Sequence, residues 1–351
     1  MPFGHLYNLV LKARAAMYKK GFANSHDLGV PVISVGNLTV GGTGKTPLVA
    51  FVARVLAKNG RKVCILTRGY KREDPNKRVV VSDGEKILAD AKQSGDEPFE
   101  LAHKLLGISA VIADKDRAAA AVWAKEELGS DAFVLDDGFQ HFQLKRALDL
   151  VTVDATDPFG NGWLLPQGTL REPVENLARA DAIILTRANL APNSDGPNGV
   201  NDLEALKAQV QGLAPAAAVF TSENKTTNLI PLAKLFEDQE PGTILTLLPK
   251  TRTLAFCAIG NPDSFFRQLM AEGFELAGTN KFPDHHKYSE RDISTLNELA
   301  RKWNADLLLT TIKDAVKLKG FSFDVPCYVV ESTPVFDNEE GLRELIVKTL
   351  F

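Results

Sequence analysis

The chain has 351 residues, of which 44% are hydrophobic and 24% charged, and its formal net charge at pH 7 is −3. That length holds two domains at roughly 150 residues each, and the composition excludes a disordered or low-complexity protein. The slight acidity carries no nucleic-acid signature, and no apolar run approaches the ~20 residues that span a bilayer.

Cys64, Cys257 and Cys327 stand far apart without C-x-x-C spacing. This fits a reducing compartment and excludes a disulfide scaffold or a cysteine zinc site. No apolar core followed by a small-residue cleavage site opens the chain, so a cytoplasmic location is expected. No obligatory protein partner is evident.

The first predicted element is a helix over Phe3–Lys20, a stretch without proline. Phe3, Leu6, Tyr7, Leu9, Val10, Ala13 and Met17 fall on one helical face, with Asn8, Lys12 and Lys19 opposite. A basic flank beside an aromatic-rich face suits an anionic membrane surface, and it equally suits packing on the protein's own domain.

Short apolar, often β-branched runs follow: Val32–Val35, Val63–Thr67, Val79–Ser82, Ala110–Ala113, Phe133–Leu135, Leu150–Val153, Ile183–Thr186 and Ala218–Thr221. Helical stretches lie between several of them, among them Thr46–Asn59, Glu97–Leu106 and Arg117–Leu128. This alternation predicts parallel β-α-β units, and continuous apolar strands predict a sheet covered on both faces. Ala191–Asn201, rich in Pro, Asn and Gly, predicts a surface loop. The expected organisation is an N-terminal helix over 1–22, a P-loop core over 23–225, a Pro-containing linker over 226–250 and a smaller α/β domain over 251–351.

The strongest chemical signal is the strand Val32–Val35, then Gly36-Asn37-Leu38-Thr39-Val40-Gly41-Gly42-Thr43-Gly44-Lys45-Thr46, then an apolar helix. Strand, Gly-rich loop and helix is the context a phosphate-binding P-loop requires. Backbone N–H groups of Gly41, Gly42, Thr43 and Gly44 would face the phosphates of ATP, and the helix N-terminus adds partial positive charge. Lys45 supplies a point charge to the β- and γ-phosphates, and the Thr46 hydroxyl suits Mg²⁺. The usual motif has Gly five residues before Gly44, where this chain has Thr39. A Lys directly before the glycine pair marks another P-loop class, and Val40 at that position argues against it.

Phe133-Val134-Leu135 runs into Asp136-Asp137-Gly138, an apolar strand ending in two carboxylates suited to Mg²⁺; the pattern does not choose between the two acids. Ser94-Gly95-Asp96-Glu97-Pro98 opens a helix. One acid suffices to cap it, leaving the other for the base a kinase needs near its acceptor hydroxyl. Arg68-Gly69-Tyr70 and Lys115-Asp116-Arg117 each follow a strand, at the edge of an α/β sheet where ligands bind. Phe282-Pro283-Asp284-His285-His286 lies in the smaller domain, and its two histidines are too few for a metal site.

Together these segments resemble the tetraacyldisaccharide 4′-kinase family of lipid A biosynthesis. The resemblance rests on Val35–Pro47, Thr67–Tyr70, Ser94–Pro98, Leu135–His141, Leu165–Pro173, Ile259–Pro262, Phe282–His286 and Thr310–Leu318, which span nearly the whole chain. Thr39 in the P-loop is a feature of that family, whereas Ile312 replaces a Glu common before Lys313-Asp314. The resemblance implies two α/β domains, the second closing over the site, with ATP and Mg²⁺ as cosubstrates. The acceptor it implies is the 4′-hydroxyl of a tetraacylated glucosamine disaccharide 1-phosphate, a lipid A precursor, and the product is lipid IVA. It implies Asp96 as base together with His285, Lys45 and Thr46 at the nucleotide, and Asp136, Asp137 and Glu172 at Mg²⁺. Arg68, Tyr70, Arg117 and Arg171 are the candidate acceptor contacts. It also implies the cytoplasmic face of the bacterial inner membrane, reached through the N-terminal helix.

A regulatory P-loop NTPase that hydrolyses nucleotide to switch a partner is the rival reading. Arg187 stands where a guanine-reading T-K-x-D sequence has Lys, which disfavours a GTPase.

Overall fold

The computed structural model describes Leu11, Met17, Tyr18 and residues 25–191, 203–235 and 251–351. The predicted helix over Phe3–Lys20, most of the loop over Ala191–Asn201 and the stretch 236–250 therefore lie largely outside the described residues. The chain divides into two compact units, Met1–Glu223 with Phe336–Phe351, and Asn224–Val335.

In the first unit the described strands are β1 (Val32–Asn37), β2 (Val63–Thr67), β3 (Val79–Ser82), β4 (Ser109–Ala113), β5 (Ala132–Asp136), β6 (Leu148–Asp154), β7 (Ala182–Thr186) and the start of β8 (Ala218–Pro231). Their order is β8-β7-β6-β1-β5-β2-β4-β3. Neighbours run parallel except β3, which pairs antiparallel with β4. β1 therefore lies in the middle, with β5 on one side and β6 on the other.

Both faces of this sheet are covered, as the uninterrupted apolar strands require. Helix α1 (Lys45–Lys58) buries Leu48, Val49, Val52, Val55 and Leu56 against Ile33, Val35, Ile65 and Val134. On the other face Val151, Val153, Ile183 and Leu185 pack with Leu206 and Val210, while Leu66, Ile112 and Leu135 pack with the alanines of the helix Arg117–Glu127. That helix carries Ala118, Ala120, Ala121 and Ala124 inward, which lets it lie close to the strands.

Two boundaries differ from the sequence reading. Phe336–Phe351 was expected in the smaller domain but packs in the first unit. Phe336 meets the Phe51 ring at 4.7 Å between centroids, and Leu342 and Ile346 are fully buried beside α1. A large apolar side chain buried in this way contributes roughly 1.5–3 kcal/mol, so this stripe suffices to hold the C-terminal helix Glu339–Val347. The linker also starts later than expected, because β8 runs on to Pro231. Its middle, residues 222–228, is polar, which concealed the continuation, and Thr227 Oγ1 donates to the Glu331 carbonyl there.

The second unit has parallel strands in the order β10 (Glu275–Lys281), β9 (Arg252–Cys257), β11 (Leu307–Thr311), β12 (Cys327–Phe336). Successive residues of β9 face opposite ways. Leu254 and Phe256 join a core with Tyr288, Ile293 and Leu296, and Ala255 and Cys257 join one with Phe265, Phe266 and Leu269.

Candidate active site

The carboxyl ends of the parallel strands in the first unit carry the polar residues of interest. β1 leads into the P-loop and β5 ends at Asp136; β2 ends at Thr67, β6 at Asp154 and β7 at Thr186. A parallel arrangement brings these ends to one edge, where ligands of open α/β sheets bind.

α1 begins at Lys45 directly after Gly44, which adopts φ 80° and, having no side chain, cannot cap the first turn. The first turn carries no acidic residue, so its N–H groups and partial positive charge suit an anion. The Thr43 side chain turns inward: its Oγ1 accepts from Asn37 Nδ2 at 2.9 Å and lies 2.8 Å from Thr152 Oγ1. Thr43 thus offers a ligand its backbone N–H and not its hydroxyl. Thr46 follows in the first turn, partly exposed.

Lys45 Nζ lies 3.5 Å from Asp137 Oδ1, and Arg171 Nη1 donates to Asp137 Oδ2 at 2.5 Å. Burial raises the Asp137 carboxyl, but Lys45, Arg171 and Arg117 more than offset it and hold it at about 2. Asp136 behaves oppositely. Burial first, then the charges of Glu97 and Asp137, push it up to about 7, although Thr67 Oγ1 donates to its Oδ2 at 3.0 Å. Two adjacent carboxylates are thereby split into one paired with cations and one under like-charge pressure.

Arg117, buried, donates from Nη1 to the carbonyls of Asp136 and Asp137 at 2.8 and 3.1 Å. Sequence reasoning gave it to the acceptor; its observed work is to fix the backbone of the acid pair. Arg68 and Tyr70 are exposed, as an acceptor contact requires. Their loop packs closely on the turn that carries Asp96. A Cβ at Gly69 would fall 2.9 Å from the Ser94 carbonyl, and one at Gly95 would fall 2.7 Å from the Tyr70 carbonyl. Only glycines permit that approach, and both adopt positive φ.

Asp96 and Glu97 open the helix Asp96–Lys104 behind Gly95, whose N-cap position makes no side-chain bond. The charge of Glu97 acts on Asp136. Glu172 is buried and engaged: Oε1 accepts from Gln140 Nε2 at 2.6 Å, Oε2 from Asn176 Nδ2 at 2.7 Å, and Arg179 Nη2 lies 2.9 Å from Oε2. In this arrangement it is the partner of Arg179.

The residues present suit a divalent cation. Asp137 Oδ1 is buried without a hydrogen-bond partner, and the Lys45 charge does not outweigh the burial and the neighbouring acids that raise the Asp136 carboxyl. Among the described residues no group of three or more His, Cys, Asp or Glu side chains is arranged to hold a metal. The two carboxylates are a donor set of the kind Mg²⁺ uses, since it takes one or two carboxylates and completes its shell with water and substrate phosphates.

Asp136 gives a test by pH. A carboxyl raised in the folded state from its ordinary 3.8 to about 7 lowers stability progressively as pH rises through that window. Asp136→Asn should therefore raise the melting temperature of the nucleotide-free protein at pH 8, with a gain on the order of a few kcal/mol, and the gain should vanish near pH 4. The same variant should require more magnesium for activity. Equal melting shifts at both pH values, with an unchanged magnesium titration, count against this arrangement.

His285 lies in the second unit, with φ 63°. Its backbone N–H donates to the Ala258 carbonyl at 3.3 Å, and its Nε2 is 3.7 Å from Asp284 Oδ2, an ion-pair separation longer than a hydrogen bond. Lys313 Nζ stands 3.5 Å from the other Asp284 oxygen. His286 stacks on Phe282 and pairs with Asp292 at 3.1 Å, so the second histidine is a packing element.

Thr67, Asn37, Thr152, Thr186 and Arg187 contact the P-loop or the acid pair, and Asp154 holds Arg187; motif reasoning singled out none of them for the site. The available signal was positional, since most of them end a parallel strand or directly follow one.

The sequence model of the tetraacyldisaccharide-1-phosphate 4′-kinases, LpxK, matches residues 1–350. A tetraacyldisaccharide 4′-kinase of Desulfotalea psychrophila is 38% identical over 348 residues, covering 99% of this chain and 95% of the relative. One from Geobacter metallireducens is 41% identical over 312 residues, covering 89% and 86%. A crystal structure of LpxK from Aquifex aeolicus in complex with ATP superposes with TM-score 0.77 at 31% identity, covering 100% of this chain and 98% of that one. With a nucleotide-type loop after β1 and a match from end to end, this chain belongs to the tetraacyldisaccharide-1-phosphate 4′-kinase family.

Proposed function

We propose that the chain transfers the γ-phosphate of ATP to the 4′-hydroxyl of tetraacyldisaccharide 1-phosphate. The observation that carries this reading is the constellation at the head of α1. Lys45, Asp137, Arg171 and Asp136 meet beside a P-loop whose first turn is uncapped. Lys45 leaves Asp137 to hold the β- and γ-phosphates, and Arg171 keeps Asp137 paired when it does. Thr46, Asp136 and Asp137 would hold Mg²⁺, and Glu172 joins them only by releasing Arg179. The ion, when bound, neutralises charge on the phosphates. Gly41, Gly42, Thr43 and Gly44 supply backbone to the nucleotide. Arg68, Tyr70 and Arg171 orient the acceptor, Arg117 supports them from behind the acid pair, and Asp96 with His285 removes the hydroxyl proton.

Incubating the protein with γ-labelled ATP and the disaccharide 1-phosphate should move the label to lipid. Label appearing only as free phosphate would instead support the hydrolytic switch reading.

The site of action in this proposal is the cytoplasmic face of a bacterial inner membrane. No helix among the described residues is long and apolar enough to cross a membrane. The amphipathic pattern over Phe3–Lys20, together with an acyl-chain substrate, supports surface attachment. Leu6→Ser with Val10→Ser should release the protein from anionic vesicles. Each lost apolar side chain weakens partitioning by roughly 1.5–3 kcal/mol. Co-sedimentation equal to the parent would reduce the segment to intradomain packing.

A further inference from the structure

We infer that Thr186 and Arg187, at the end of β7, are positioning residues of the phosphate cradle: they draw two successive P-loop carbonyls outward so that the paired N–H groups face the nucleotide. Thr186 Oγ1 donates to the Thr43 carbonyl at 2.9 Å, and Arg187 Nη2 donates to the Gly42 carbonyl at 2.8 Å. A trans peptide is planar, with its N–H opposite its C=O. Fixing the Gly42 oxygen therefore aims the Thr43 N–H the other way, and fixing the Thr43 oxygen does the same for the Gly44 N–H. Those are the two amides that precede Lys45.

The two donors are themselves held. Thr186 is buried, and its γ-methyl packs under Gly44, 3.2 Å from where a Cβ there would stand. Arg187 pairs with Asp154, and Asp154 Oδ1 accepts from the Thr156 N–H at 3.0 Å and its hydroxyl at 2.7 Å. Arg187 adopts a left-handed backbone, φ 56° and ψ 36°, which costs a side-chain-bearing residue and persists where surrounding contacts demand it. The chain Thr156–Asp154–Arg187–Gly42 supplies that demand. A planar fork is needed to reach a carboxylate and a carbonyl at once, which the point charge of lysine does not reproduce. Preorganised amides bind an anion without reorganisation when it arrives.

This inference rests on the nucleotide reading of the P-loop, and the experiment separates the two. Equilibrium binding of ATP, ADP and AMP is measured on the full chain for the parent, Thr186→Val, Thr186→Ser and Arg187→Lys. Thr186→Val should weaken ATP and ADP about tenfold, the effect of one lost hydrogen bond to a preorganised group. AMP, without β- and γ-phosphates, should change less than about twofold. Thr186→Ser, which keeps the hydroxyl, should return ATP affinity to within about twofold of the parent. Arg187→Lys should behave like Thr186→Val, and it carries the comparison should the valine variant fail to fold. Parent-like ATP binding in the folded variants, or equal losses for AMP and ATP, overturns the inference while leaving the nucleotide site standing. A parent that binds no ATP overturns both.

Discussion

Lys45→Ala should lose on the order of 10²-fold or more in turnover, as when other preorganised donors to a developing charge are removed. The side chain lies 13% exposed, 3.5 Å from Asp137, at the head of a helix whose first turn holds no acid. Its exchange from Asp137 to phosphate moves a point charge a short distance into the site, with little reorganisation. The variant should fold, because Asp137 keeps Arg171 at 2.5 Å. Losing Lys45 should also let the Asp137 carboxyl rise from about 2, since one of the cations holding it down has gone. Lys45→Arg should recover little, as a planar fork does not occupy the space of a compact ammonium. Single-turnover rates with ATP and acceptor, beside a thermal melt, decide the matter. Turnover near the parent in a folded Lys45→Ala protein excludes the P-loop as the phosphoryl site.

Much of the first unit was legible because its strands are continuous apolar runs ended by Gly, a charge or Ser; Ile183–Thr186 and Val63–Thr67 are examples. A buried parallel strand needs that pattern on both faces, so sequence and fold coincide there. The P-loop and the acid pair were legible for a similar local reason, since each is a strand followed at once by its chemistry. The C-terminal helix Glu339–Val347 was not legible as part of the first unit. Its stripe of Leu342 and Ile346 would suit either unit, and its packing beside Phe51 and α1 assigns it. The Arg187–Gly42 and Thr186–Thr43 bonds join residues about 140 positions apart, and no local spacing encodes such a pair. The carbonyl contacts of Arg117 were not legible, because a basic residue after a strand has the same sequence signature whether it binds substrate or two backbone carbonyls.

Asp96→Asn and His285→Ala should each lower turnover by roughly 10²–10⁴-fold, the range of general-base catalysis, while ATP binding stays near the parent. A sugar hydroxyl is a weak nucleophile at neutral pH, so its proton must leave as the phosphoryl group arrives. Each of the two candidate residues is held within its own unit. Asp96 sits in the first turn behind Gly95, where the helix N-terminus supplies partial positive charge. His285 has Asp284 at 3.7 Å, and Asp284 in turn has Lys313 at 3.5 Å. If the two groups act as one, the double variant should lose little more than the worse single variant, because residues working as a unit are non-additive. Independent roles would instead multiply the losses. The double-variant cycle on turnover, measured with saturating ATP and acceptor, separates these outcomes. A His285→Ala protein with normal turnover removes the imidazole from the mechanism and leaves Asp96 to act alone.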